Sequence, residues 1–479
     1  MLHANFTCNL NNPSLPLHHF WEHTVGSGHA TLALRSDWQK QLIRANKELG
    51  FKNVRFHGIL SDDMSTLVTQ ENKLIYSFFN ADQICDFLLS IGMRPFVELS
   101  FMPTAIASDA DTVFHYKGNI TAPKNYKDWA TLIKKLLEHW LQRYGIEEMN
   151  HWFFEVWNEP NLKAFWKNTK EDYFKLYNHT AKEIKKVNKN LKVGGPATAK
   201  NAWITEFINY CNKNNVPLDF ISTHHYPTDA FGKPDDDTIT QLYKSKRSIL
   251  QKDVIKVRKL AMGKPVYYTE WNTSSNPFDE LHDMPYAACF IMKTVFEANS
   301  FVEGYSFWTF SDIFEENYFS SVPFHGGFGL MNIYGIPKPS YRAFQLLHKL
   351  GDEILKVDGK HETVDVWVVR KKNILNIVIT NWALPLHPIK TEKIKLQIDN
   401  INKVKSTFLE RIDHNHSNAR KNWEEMGSPQ SLSNFEVIEL ETASALIKEP
   451  FAIRYERGSV FVELSVPSQG LAYITVETE

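Results

Sequence analysis

The stretch FFEVWNEPNLKAFW, residues 153–166, begins as a buried strand and stops on polar chemistry. Phe153 to Trp157 form an apolar and aromatic run broken by one acid, and Asn158, Glu159 and Pro160 follow directly. Proline cannot donate to a sheet ladder, so Pro160 ends the strand and leaves Glu159 at its C-terminal tip. A single glutamate so placed is more often a solvated loop acid than a catalytic group. Its meaning depends on the runs around it.

Between about residue 24 and residue 312 the pattern recurs: a short β-rich run, a polar residue at its end, then a longer helical stretch. The other runs are HTVGSG, KNVRFHG, RPFVELS, LKVGGPA, LDFISTHHYP, PVYYTEWN and EGYSFWTFSD, which brings the count to eight. Helical periodicity is clearest in DWATLIKKLLEHWLQRYG, where Trp129, Leu132, Ile133, Leu136, Leu137, Trp140 and Tyr144 share one face. Gly145 is the expected C-cap of that helix. Near-continuous apolar strands separated by helices imply a parallel sheet buried on both faces, and eight repeats predict a closed (β/α)8 TIM barrel. An open doubly wound sheet is the alternative, but no GxGxxG follows the first strand.

After about residue 345 the texture changes. ETVDVWVVRKKNILNIVITNW alternates apolar and polar residues about a Lys-Lys-Asn turn, and SVFVELSVPSQGLAYITVE repeats the alternation near the end. The expected organisation is an α/β catalytic barrel over residues 15–345 and an appended antiparallel β-sandwich over residues 346–479, with residues 1–14 free to pair with the sandwich.

Composition narrows the partner. Lys plus Arg number 54 against 55 Asp plus Glu, a balance without the basic footprint of a nucleic-acid or anionic-membrane binder. No stretch approaches the roughly 20 apolar residues of a membrane span, so a soluble protein is expected. The first residues lack a basic segment followed by an apolar one, so no secretory signal is read; an intracellular protein and an exported one with its leader trimmed would look alike. The four cysteines, Cys8, Cys85, Cys211 and Cys289, are too scattered for a metal or disulfide framework and are expected as free thiols. The chain has 13 Trp, 18 Tyr and 32 Phe, and several Trp stand beside carboxylates, as suits a sugar ligand.

In a TIM barrel, polar residues at the C-terminal strand ends face the mouth. Glu159 ends the fourth run and Glu270 the seventh, 111 residues later, close to three βα units of roughly 30 to 35 residues each. Both carboxyls should enter one pocket. Glycoside hydrolysis needs such a pair, one to protonate the leaving oxygen and one to act on the anomeric carbon. Asn158 is placed to bond a sugar 2-hydroxyl, with Trp157 and Trp271 as supporting aromatics.

The chain resembles glycoside hydrolase family 39, in the clan of retaining barrel glycosidases, through FWEHTVGSGHATLALRSDW, VRFHGILSDDM, FFEVWNEPNLKAFW, DFISTHHYP, YYTEWNTS, FWTFSDIFEE and PFHGGFGLMNIYGIPKPSYRAF, in the family's order. By its Asn-Glu-Pro motif the resemblance implies Glu159 as acid/base, and by the Glu-Trp-Asn motif Glu270 as nucleophile. ERIDHNHSNARKNWEEMGSPQSL resembles the family's β-xylosidase branch more than its α-L-iduronidase branch. The implied activity is release of D-xylose from non-reducing ends by double displacement, with no metal and no cofactor. Iduronidase-like, β-galactosidase or α-L-arabinosidase action, and a carbohydrate-binding pseudoenzyme, are the alternatives. Further sugar contacts are expected from His57, His224, Tyr226 and Trp308, and from one of Glu315 and Glu316, which the sequence does not distinguish. His225 should face away, because strand neighbours alternate. Phe114, His115, Phe165 and Trp166 are candidates for an aglycone subsite. Some family members associate through barrel and sandwich, so a homo-oligomer stays open.

Overall fold

The computed structural model describes residues 4–230, 236–316, 320–401 and 403–479. Eight parallel strands close into a barrel: β1 (Thr24–His29), β2 (Asn53–His57), β3 (Arg94–Leu99), β4 (Phe153–Val156), β5 (Lys192–Thr198), β6 (Phe220–His225), β7 (Val266–Trp271) and β8 (Gly304–Phe307). Each pairs with its neighbour in sequence, and β8 returns to β1 through Phe307 and Val25. The strands coincide with the eight runs seen in the sequence, because each run is too apolar to leave either face in water.

The helices cover the outside. That over Tyr126–Met149 is capped by Asn125, whose side chain accepts from the Lys127 N–H, and it buries Trp129, Leu132, Ile133, Leu136, Leu137 and Trp140. The span is two helices joined across a kink at Gly145, so the first of them ends where the sequence places its stop. The glycine takes φ +78° and ψ +161°, outside the helical region, and a short second helical segment follows as far as Met149, whose side chain is fully buried.

The second region packs a seven-stranded sheet on a five-stranded one. Its core is aliphatic, including Val366, Val368, Ile377, Ile379, Leu396, Ile398, Val460, Val462, Ile474 and Val476. The strand Glu392–Asp399 alternates buried and partly exposed residues along its length, as a one-sided strand does. The chain start contributes to both sheets: Ala4–Asn9 lies parallel to Glu392–Asp399, and Ser14–Pro16 pairs antiparallel with Glu353–Leu355. Among the described residues this is the one parallel pair in the two sandwich sheets. Two helices, Ala419–Glu425 and Asn434–Ser444, turn back to the barrel, where Ala419, Trp423 and Leu440 cluster with Phe324 and Ile336 of the segment after β8. All four cysteines are buried free thiols.

Candidate active site

The barrel interior is layered. At the N-terminal end Phe96, Phe153 and Phe220 with Tyr267 form an aromatic floor, the Phe96 and Phe153 rings stacked 5.1 Å apart. Two residues further along the same strands, on the same face, stand Glu98 and Glu155. Between them lies Arg55 of β2, wholly buried. Its Nε donates to Glu155 Oε2 at 2.6 Å, Nη1 to Glu270 Oε1 at 2.8 Å and Nη2 to Asn158 Oδ1 at 3.0 Å, while Nη2 also lies 2.8 Å from Glu98 Oε2. Burial opposes its charge, but the carboxylates of Glu155, Glu98 and Glu270 more than compensate and raise its pKa. The planar fork of a guanidinium suits four such partners; a lysine ammonium would not reach them all. Sequence reading passed over Arg55, although its place two residues before His57 puts it on the same inward face.

Above this layer the two glutamates meet. An oxygen of Glu159 and one of Glu270 lie within 4.8 Å of each other, with His224 Nδ1 2.9 Å from Glu159 Oε1 and 3.4 Å from Glu270 Oε2. Tyr226 donates its hydroxyl to Glu270 Oε2 at 3.0 Å. Glu159 reaches its position through unusual backbone: Trp157 has φ +73° and Glu159 φ +43°, left-handed values costing a non-glycine residue roughly 1–3 kcal/mol. Tertiary contacts hold this turn, since the Glu159 N–H donates to Ala197 O and the Trp157 indole to Phe165 O.

Burial raises both carboxyls, by different amounts. Glu159 stands well above the usual range through desolvation and then the charge of Glu270. Glu270 is pushed up to about 7 by burial, while Arg55 and His57 pull it down. Two carboxylates this close do not ionise together, and Glu270, beside the cations, loses its proton first. His224, disfavoured as a cation by burial and then by Arg55 and His57, is neutral. Its Nε2 lies 3.1 Å from the Thr269 hydroxyl, which itself donates to Glu155 Oε1 at 2.8 Å. Nε2 also lies 3.4 Å from Arg55 Nη2, so His224 ties Glu159 through Nδ1 to the charge layer beneath it.

These groups open into a cavity of about 320 Å³ lined by His57, Asn158, Tyr226, Trp308, Glu316, Phe114 and Phe165, among others. Burial works against a charged His57, but Glu98 and Glu316 raise its pKa to about 10. Its Nδ1 lies 2.7 Å from Glu98 Oε2 and its Nε2 3.3 Å from Glu316 Oε1. The structure thus separates two adjacent acids. Glu316 enters the cavity, whereas Glu315 is 3.9 Å from both His29 and Arg35 and does not line it. Trp308 lies over Gly26, where a β-carbon would come within 2.5 Å of its ring. The glycine of HTVGSG clears the space this indole occupies.

Several expected contacts are not made. Trp271 faces outward and stacks on Tyr305 at 4.4 Å, because it follows Glu270 on the alternating strand. Trp157 and Trp166 pack on each other, 5.0 Å apart and buried, and neither they nor His115 line the cavity. His225, by contrast, faces away from the mouth as its place beside His224 implies, with Nε2 2.6 Å from the Tyr305 hydroxyl. The long segment after β8 is pinned from beneath by wholly buried Lys338, whose Nζ is 2.6 Å from both Asp283 Oδ1 and Asp312 Oδ2. Glu159, His224 and Glu270 are close enough to share a cation. The Arg55 guanidinium and charged His57 already beside them oppose a further positive ion.

A family model described as glycosyl hydrolases family 39 matches residues 6–458. The chain is 50% identical to a β-xylosidase of Caldicellulosiruptor saccharolyticus, the match covering 96% of this chain and 95% of the relative. It is 37% identical to a β-xylosidase of Geobacillus stearothermophilus over 88% and 86% of the two chains. Its fold superposes on a monomeric β-xylosidase from Caulobacter crescentus CB15 with a TM-score of 0.88, at 33% identity and over 99% of each chain.

Proposed function

The chain belongs to glycosyl hydrolase family 39, and from that membership we propose that it is a retaining exo-β-xylosidase with Glu270 as nucleophile and Glu159 as acid/base. The observation that carries this reading is the pair of carboxyl oxygens within 4.8 Å. Retention places the two groups about 5–5.5 Å apart, whereas inversion needs about 6.5–9.5 Å to admit water between them.

Each group has support for its role. Glu270, flanked by Arg55 and Tyr226, is the carboxyl that ionises first. Its oxygen attacks the anomeric carbon as the bond to the aglycone oxygen breaks, and the Glu159 proton passes to that oxygen. Esterification then removes the charge of Glu270, the second cause of the raised pKa of Glu159. Glu159 can then take a proton from water as the water oxygen attacks the glycosyl ester. Asn158, held by Arg55, is suited to the 2-hydroxyl, where bonds strengthen toward the transition state. Trp308 offers an apolar face, and His57 with Glu316 offers a donor and an acceptor for ring hydroxyls.

The lining favours a neutral sugar over a uronate. Among the described lining residues Lys200 is the single lysine or arginine, and it is paired with Asp229. A site built to read a carboxylate would present an uncommitted arginine or lysine. The small cavity, at the lower end of ligand clefts, agrees with removal of terminal residues rather than internal cleavage.

The test is a panel of aryl β-xyloside, α-iduronide, β-galactoside, α-arabinoside and β-glucoside, with proton NMR of the first-formed sugar. Dominant β-xyloside turnover with the β anomer appearing first is expected. An inverted first product would end the double-displacement mechanism, and preference for another glycoside would reassign the substrate.

A further inference from the structure

At the N-terminal end of the barrel, opposite the mouth, His19 precedes and Glu22 ends the single turn Phe20–Glu22 that leads into β1. The last residue of the helix Pro339–His348 reaches the same point. His19 Nδ1 and His348 Nδ1 lie 2.7 and 2.8 Å from one oxygen, Glu22 Oε1, and the three atoms fall within 4.8 Å of one another. From this convergence we propose that His19, Glu22 and His348 form a site for a divalent transition-metal ion of the zinc class, joining the first and last elements of the barrel.

The arrangement meets what such an ion needs. Two imidazole nitrogens and a carboxylate oxygen are the borderline donors zinc prefers, with coordination positions left for water. The His19 ring is held in a ligating orientation, stacked on buried Trp21 at 4.5 Å with its Nε2 facing Gly351 O at 3.3 Å. A carbonyl can only accept, so the Nε2 proton is committed to it. Nδ1 is thereby the nitrogen turned toward Glu22, the orientation an outer hydrogen bond gives a metal-ligating histidine. At 2.7 and 2.8 Å both Nδ1 atoms are at hydrogen-bond distance from Glu22 Oε1, so an ion would enter by displacing the ring protons that bridge them. One divalent ion satisfies both imidazoles and the carboxylate together.

Little rearrangement is required. Tetrahedral coordination at zinc–nitrogen and zinc–oxygen distances near 2.0–2.2 Å sets ligand atoms about 3.3 Å apart, so each nitrogen retreats from Glu22 by roughly half an ångström. His348 is 40% exposed and gives access from solvent. Lys52 approaches the other oxygen, Oε2, at 3.9 Å, and its side chain is 66% exposed and free to withdraw. Glu22 and His348 are 326 residues apart in sequence, so the ion would close the barrel ends and stabilise the folded chain.

Zinc binding is measured by calorimetry on metal-stripped protein in a Glu270→Gln background, which dismantles the cluster of Glu159, His224 and Glu270 at the mouth. The background protein is expected to bind one zinc per chain, and saturating zinc to raise its Tm by a few degrees. His348→Ala, at an exposed position, should weaken binding by well over about 10-fold and abolish the Tm rise; His19→Ala should do the same. No zinc bound by the background protein, or undiminished binding in both histidine variants, would overturn the site.

Discussion

The two cores of this molecule are built by opposite rules. Inside the barrel, Arg55 and His57 stand among Glu98, Glu155 and Glu270, all buried. Between the sandwich sheets the core is mostly valine, isoleucine and leucine and holds no charged side chain among its clustered residues. Aliphatic packing stabilises a fold without demanding exact partners, whereas each buried ion costs several kcal/mol unless its neighbours compensate. The barrel tolerates that cost where charge is used, and beneath it keeps an aromatic floor as apolar as the sandwich. Buried charge that lines the mouth marks the chemistry, whereas the equally buried Lys338 with Asp283 and Asp312 only braces the segment after β8.

The contrast between the cores meets its most severe test at Glu270. Glu270→Ala should reduce kcat by about 10⁴-fold or more, as loss of a covalent nucleophile does, with unchanged thermal unfolding. Azide should restore turnover and give a glycosyl azide of inverted configuration; a retained azide would exchange the two roles. Glu159→Gln should cost about 10²–10⁴-fold on xylo-oligosaccharides and much less on aryl xylosides whose leaving group needs no proton. Equal losses on both substrates would remove Glu159 from general acid catalysis.

The charge layer makes its own prediction about pH. Activity requires Glu270 ionised and Glu159 protonated, giving a bell-shaped kcat/KM profile. Arg55 lowers the pKa of Glu270, so Arg55→Leu should move the acid limb to higher pH, and it should destabilise the fold by about 3–5 kcal/mol by leaving carboxylates without a counter-charge. Arg55→Lys keeps the charge and should move the limb less. In Glu270→Gln the charge that helps raise Glu159 is gone, so carbon-13 NMR of labelled glutamate should record a lower pKa for Glu159.

Smaller effects separate the two cores further. Gly26→Ala should displace the Trp308 indole and lower kcat/KM by about 10–100-fold, the scale of losing correct substrate placement. Ile377→Ala, deep in the sandwich, should cost about 2–5 kcal/mol of stability while leaving kcat/KM per folded molecule unchanged. Lost activity at constant stability in Ile377→Ala would mean that the sandwich supports the site more directly than its aliphatic core suggests.

The eight strand runs, the second, strand-rich region and the two glutamates at the ends of β4 and β7 were all legible in the amino-acid sequence. Those features are local: alternation, a proline stop and strand order are written within a few residues. The rest of the site emerged only on folding, because it depends on partners distant in the chain. Arg55 finds Glu270 across 215 residues, and nothing near either one marks the pairing. Glu316 rather than Glu315 enters the cavity because His57 meets one and His29 with Arg35 the other. The left-handed turns at Trp157 and Glu159 aim the acid and bury Trp157, and Trp271 turns outward because strand neighbours face opposite ways. The order in which the two carboxyls ionise follows from burial and from which cations lie closest, quantities that exist only once the barrel has closed.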